Sequence, residues 1–183
     1  LIGGLSFGIS SIIKNYKAKV SDIQYQQQNI DITKSVFPEN AINLPSNYES
    51  LEKTPYINSD SGFSINIPKG WKSQIVENGI SFSKDGINIF FVVTKIVLPQ
   101  EVKNVSAETF MNSVARELSN RLTNISFNKY KISSEYAYNI NGIMTVEKES
   151  GNINYYYFLN GTNMYLITIG TNNVKDSIPN EIL

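Results

Sequence analysis

Two stretches flanking Asn160-Gly161, INYYYFL and NMYLITIG, carry apolar or aromatic side chains at nearly every position instead of every second one. Successive side chains of a strand point to opposite faces. Tyr155 and Tyr157 therefore lie on one face and Tyr156 and Phe158 on the other, while Met164 and Leu166 oppose Tyr165, Ile167 and Ile169. Such a strand pair cannot leave one face in water; it demands cover from both sides. Asn160-Gly161 and Ser150-Gly151-Asn152 read as tight turns, so the last strands are expected to form an antiparallel meander with GIMTVEKE before them.

The same texture begins after Asp60. Phe63 to Ile67 and Ile80 to Phe82 alternate cleanly, which suits strands near a sheet edge with one wetted face. Asp85-Gly86 is a hairpin signal. Beyond it, Ile87, Ile89, Phe91 and Val93 take one face while Phe90 and Val92 take the other. Between the two sets of strands, SAETFMNSVARELSNRLT predicts a helix capped by Ser106, with Glu108 in its first turn and an apolar stripe of Phe110, Met111, Val114, Ala115, Leu118 and Leu122. Glu117 and Arg121 are spaced to pair on its outer face. One helix covers one face; the second cover is expected from the C-terminal NNVKDSIPNEIL. The fold class expected is α+β, an α/β/α sandwich around a mostly antiparallel sheet.

Composition narrows the chemistry. Among 183 residues there is no cysteine and no histidine, which removes disulfides, thiolate nucleophiles, Cys/His metal sites and the commonest proton shuttle near neutral pH. Sixteen basic residues balance sixteen acidic ones, so the basic field of a nucleic-acid binder is missing and no nucleic-acid partner is expected. Apart from Gly3-Gly4 the glycines stand singly, and they form no phosphate-binding loop. No loop of the D-x-[DN]-x-[DN]-G kind accompanies Glu147 and Glu149, so neither a metal nor a cofactor is expected. A hydrolase could use two carboxylates, such as Glu135 and Glu147, or a Ser-Lys pair, but no spacing singles them out.

The N-terminal LIGGLSFGISSII is thirteen uncharged residues, shorter than a membrane span of about 20, and reads as the end of a signal-anchor or signal peptide over 1–13. Residues 14–55 are rich in Gln, Asn, Ser and Pro without a steady apolar period and read as a polar stalk or linker; residues 56–183 read as the folded domain. The chain is thus expected outside the cytoplasm, membrane-tethered or secreted by a bacterium.

The most organised short pattern is SGFSINIPKGW, with apolar Phe63, Ile65 and Ile67, then Pro68, Gly70 and Trp71, the chain's one tryptophan. Pro68 ends a strand because it cannot donate to the ladder, Gly70 permits the bend, and Trp71 folds back to cap the core. Followed by hairpin strands, an amphipathic helix and a tyrosine-rich meander, this resembles the PsbP-like and DcrB-like superfamily, which shares its fold with a Ran-binding nuclear import factor. The resemblance spans about Tyr56 to Leu183 and implies an α/β/α sandwich working as a non-enzymatic assembly or binding module, often outside the cytoplasm. The partner expected is an unidentified protein or envelope component. Tyrosine is the residue in excess of what a core needs, and Tyr136, Tyr138, Tyr155 and Tyr157 are the expected partner-binding residues. A small-ligand carrier with a pocket between sheet and helix is the alternative, and a hydrolase the third.

Overall fold

The computed structural model describes residues 35–43, 53–76, 79–102, 105–132, 135–176 and 178. Their centre is an eight-stranded sheet. In chain order the strands are β1 (Ile42–Asn43), β2 (Lys53–Asn58), β3 (Phe63–Pro68), β4 (Lys72–Val76), β5 (Gly79–Ser83), β6 (Ile89–Val97), β7 (Leu122–Ile132), β8 (Glu135–Val146), β9 (Glu149–Asn160) and β10 (Asn163–Thr171). The sheet runs β1-β7-β8-β9-β10-β6-β5-β4, while β2 and β3 form a separate hairpin. Every neighbouring pair is antiparallel except β1 with β7, where Ile42 and Asn43 lie opposite Tyr130 and Lys131 in parallel.

A single α-helix, α1 (Ala107–Ser119), is found among the described residues. It starts as its sequence directs: the Ser106 hydroxyl accepts from the Thr109 N–H at 3.1 Å, and Glu108 sits in the first turn against the positive end of the helix dipole. It stops earlier than its apolar stripe. Its end is closed by the Asn120 N–H, which donates to the Glu117 carbonyl, and the Arg121 N–H, which donates to that of Leu118; Leu122 opens β7. Phe110, Met111, Val114, Ala115 and Leu118 face the sheet, where they meet Tyr138, Ile140, Ile153, Tyr155, Tyr157, Met164 and Leu166. The Glu117–Arg121 pair forms on the outer side at 3.2 Å.

The expected α/β/α sandwich is not what forms. The second face is covered by the β2–β3 hairpin, whose Ile67, with Trp71 just beyond it, packs on Ile80, Phe82, Phe91, Val93 and Ile169, with Tyr56, Phe63 and Ile65 alongside. Two alternating strands present one apolar side as a helix would, so β2 and β3 fill the layer assigned to a second helix. The C-terminal segment does not supply that helix where it is described: residues 172–176 are bends and turns, pinned by the Asn152 Nδ2, which donates to the carbonyls of Val174 (3.1 Å) and Asp176 (2.8 Å). Only Ile178 of the remainder is described, and it packs on the second-face cluster. The fold is sheet-dominated, with one helix on one face and a hairpin on the other.

Two other expectations move. The stretches EYAYNI and GIMTV belong to one continuous strand, β8, and the turn that follows is at Glu147-Lys148, where Glu147 takes a φ of 57°. Ser150-Gly151-Asn152 lies inside β9. Gly151 is there for close approach: a Cβ on it would run into the Thr171 carbonyl oxygen. The stretch read as a linker over 14–55 contains part of the domain. Phe37 is 3% exposed within the helix-side core, held edge-on by the rings of Tyr138 (5.0 Å between centroids) and Phe127 (5.7 Å). The Val36 N–H donates to Oδ1 of the buried Asn112 on α1 at 2.9 Å, and the Ser35 hydroxyl oxygen lies 3.4 Å from the same atom. The apolar segment 1–13 lies outside the described residues, among which no helix is long and apolar enough to cross a membrane.

Trp71 behaves as its motif predicts. Pro68 ends β3, Gly70 turns the chain at a φ of 85°, a left-handed value that costs glycine little, and the Trp71 N–H reaches the Pro68 carbonyl at 3.3 Å. The indole is buried with its ring edge-on to Phe91.

Candidate binding face

The register of the sheet sorts the second face into two halves. One row of side chains crosses it as Asn128, Asn139, Tyr156, Ile167, Val93 and Ile80; the next as Ser126, Asn141, Asn154, Ile169, Phe91 and Phe82. Both rows change from polar to apolar between β9 and β10. The apolar ends lie under the β2–β3 hairpin. The polar ends, with Tyr130, Ala137 and Phe158 completing a third row, make a face on β7, β8 and β9 whose nine positions hold no acid and no base other than tyrosine.

The amides on this face are fixed. Asn139 is fully buried, and its Nδ2 donates to the Tyr155 carbonyl at 3.2 Å, which aims its Oδ1 along the row. That oxygen accepts from Asn128 Nδ2 at 3.1 Å and from Asn141 Nδ2 at 3.4 Å. The Ser126 hydroxyl donates to Asn141 Oδ1 at 2.6 Å. Asn128, Asn141 and Asn154 are half-buried, as are Tyr130 and Tyr156, whose rings lie 6.5 Å apart at 35°.

The tyrosines expected to bind a partner lie on the other face. Tyr136, Tyr138, Tyr155 and Tyr157 share one side of the sheet, as their spacing implies, but this is the helix side. Tyr138, Tyr155 and Tyr157 are buried core residues, so their rings do not reach the surface as contacts. Burial pushes the Tyr138 hydroxyl up to about 12 and raises Tyr155 and Tyr157 as well, so none ionises near neutral pH. Tyr136 alone is exposed, at 43%.

Tyr136 instead closes over the buried lysine of an ion pair. Lys129 Nζ donates to Glu108 Oε2 at 3.2 Å and lies 4.5 Å from the Tyr136 ring centre and 5.8 Å from that of Tyr138. A hydrogen bond from Ser35 and then one from Lys129 hold the Glu108 carboxyl below its ordinary range, against the opposing effect of burial. The lysine is paired and covered, so it serves to tie the start of α1 to β7 and not as a nucleophile.

The pair is asymmetric: the Lys129 side chain is 9% exposed and that of Glu108 43%. Glu108→Ala, which strands the buried ammonium, is expected to cost about 2 kcal/mol, less than the roughly 3–5 kcal/mol of a fully buried pair because water reaches the carboxylate. Lys129→Met leaves a carboxylate that water can solvate and keeps the stem on the tyrosine rings, so its stability should stay within about 1 kcal/mol of the parent. A carboxyl depressed by folding contributes stability above its unfolded pKa and loses it as pH falls through the folded one. Denaturant midpoints should therefore drop as pH falls below about 4.3, and less steeply in Glu108→Gln. Equal losses in the two pair variants would contradict this asymmetry.

The carboxylates considered for hydrolysis are not brought together. Glu135 begins β8 and Glu147 follows its end, twelve residues on, which at strand rise is roughly 40 Å. Among the described residues no three carboxylates cluster. The space between sheet and helix is filled by Met111, Ala115, Ile140 and Leu166, each without solvent exposure. The amide face, the ion pair and the Phe37 plug are the features that sequence reasoning missed. The face had a signal: Asn139 with Asn141, and Asn152 with Asn154, alternate with buried Ile140 and Ile153.

No family model matches this chain, and no curated protein matches it. Among solved structures it is similar to that of a Pseudomonas aeruginosa protein of unknown function, PA94, at 12% identity over 68% of this chain and 85% of that one, with a TM-score of 0.42. At that score the likeness assigns neither a fold family nor a function.

Proposed function

We propose that the domain is a non-enzymatic binding module held outside the cytoplasm, membrane-tethered or secreted, which contacts a component of the cell envelope through the polar half of its second sheet face. The observation that carries this reading is the change along single rows of the sheet, from apolar residues under the hairpin to uncharged amides and tyrosines on β7 to β9. A sheet surface that only needs solvation is well served by lysine, glutamate and threonine; this one holds tyrosine without charge, the composition enriched where surfaces meet partners. The apolar run at 1–13 supports the location.

The test is co-sedimentation of the purified full chain with an isolated bacterial envelope fraction. Asn154→Asp should weaken association by about tenfold or more at unchanged melting temperature; Tyr156→Ala should weaken it as much, with some loss of melting temperature because its ring also packs on the second-face cluster. Ile75→Ser on β4, at the far edge of the sheet and 82% exposed, should not. Association that both face variants retain in full would overturn the assignment.

A further inference from the structure

We infer that the face on β7, β8 and β9 takes a linear, uncharged, polyhydroxylated chain: a β-linked glycan strand lying across the three strands. This rests on the reading above, that the face is a contact surface, and names its ligand.

The first argument is spacing. Asn128, Asn139 and Tyr156 form a row with one side chain per strand, as do Ser126, Asn141 and Asn154. Neighbouring strands are about 4.8 Å apart, a step close to the advance of an extended β-linked glycan per ring. Along the row of Ser126, Asn141 and Asn154, successive rings would therefore meet successive strands, each with a polar side chain; in the neighbouring row Asn139 is buried and serves to hold Asn128 and Asn141.

The second argument is chemistry. A sugar hydroxyl both donates and accepts, and so does a carboxamide. Asn128 and Asn141 each spend one N–H on Asn139 Oδ1 and keep another; Asn154 makes no side-chain hydrogen bond to any described residue. Because Asn139 is locked by the Tyr155 carbonyl, these amides are held in place before a ligand arrives, which lowers the ordering cost of binding. No charge in the nine positions favours a phosphate, a carboxylate or an ammonium.

The third argument is the pair of rings. Tyr130 lies one row beyond Asn128, and Tyr156 ends the row of Asn128 and Asn139. Half-buried tyrosines combine a flat apolar surface with a hydroxyl, which fits the C–H face and polar rim of a pyranose.

The probe is the hexamer of β-1,4-linked N-acetylglucosamine, titrated calorimetrically into the full chain, with its dimer and an α-1,4-linked glucose hexamer for comparison. The expected result is saturable binding of the β-linked hexamer, weaker binding of the dimer, which spans fewer strands, and of the coiled α-linked chain. Asn154→Asp should lower the affinity by about tenfold or more with unchanged melting temperature, and Tyr156→Ala should lower it as much, with some loss of melting temperature because its ring also packs on the second-face cluster. Hexamer binding that neither variant alters would overturn the inference by placing the sugar elsewhere. Absence of hexamer binding, with envelope association that depends on these residues and is destroyed by protease, would also overturn it; the face would then bind protein, and the contact-surface reading would stand. Absence of both kinds of binding would end both.

Discussion

Phe37→Ala is expected to lower the unfolding free energy by about 3–5 kcal/mol, the range for emptying a buried aromatic site. Phe37 stands alone in a polar stretch, yet its ring is enclosed by Phe127 and Tyr138 on the helix-side face, and the chain beside it is held by Asn112. Truncation removes two edge-to-face ring contacts and leaves a cavity between β7, β8 and α1 that the rigid sheet cannot close. Urea titration reads this directly: the midpoint should fall with an unchanged slope, since the same surface is exposed on unfolding. A loss below about 1 kcal/mol would show that residues 35–43 are a tail lying on the domain and not part of it.

Trp71→Ala should produce a loss of the same size, about 3–5 kcal/mol, from the opposite side of the sheet. The indole closes the end of the cluster formed by Ile67, Ile80, Phe82 and Phe91. It is also what joins the hairpin layer to the sheet just before β4 begins. The Phe37 and Trp71 clusters have the sheet between them and share no member, so their losses should add. Thermal or urea unfolding of the single variants checks the size; an unchanged stability would mean that Trp71 is held for contact with something outside the chain.

What was legible in the sequence was local. The Ser106 cap, the apolar stripe from Phe110 to Leu118, the turns at Asp85-Gly86 and Asn160-Gly161, and the Pro68-Gly70-Trp71 bend each depend on residues a few positions apart, and each formed. The meander's two-sided apolar character also held, and with it the need for cover on both faces. Which element provides the second cover was not legible, because an alternating hairpin and an amphipathic helix satisfy that need equally well. Phe37 carried no pattern at all: its partners are about ninety to a hundred positions away, at Phe127 and Tyr138. Gly151 read as a turn because nothing nearby shows that the Thr171 carbonyl passes over it, and the true turn uses a glutamate at positive φ.

The candidate site failed to show for a related reason. Tyr138, Tyr155 and Tyr157 do share a face, but periodicity gives the face and not what lies on it, and α1 lies on that one. Asn128, Asn141 and Asn154 belong to three strands and become one surface only once the register of β7, β8 and β9 is set. A composition rich in asparagine also hid them, since 23 asparagines in 183 residues make any few unremarked.

The polar half of the second face as the contact surface can be tested with one thiol, because the chain has no cysteine of its own. Asn154→Cys places a unique thiol in the row of Ser126 and Asn141, and Ile75→Cys places another on the far edge strand. The measurement is the rate of labelling by a water-soluble maleimide, with and without isolated envelope material. If the face is the contact surface, the thiol at position 154 reacts readily in the free protein and several times more slowly once envelope is added, while that at position 75 is unaffected. Equal labelling of position 154 in both conditions, with the protein bound to the envelope, would contradict it.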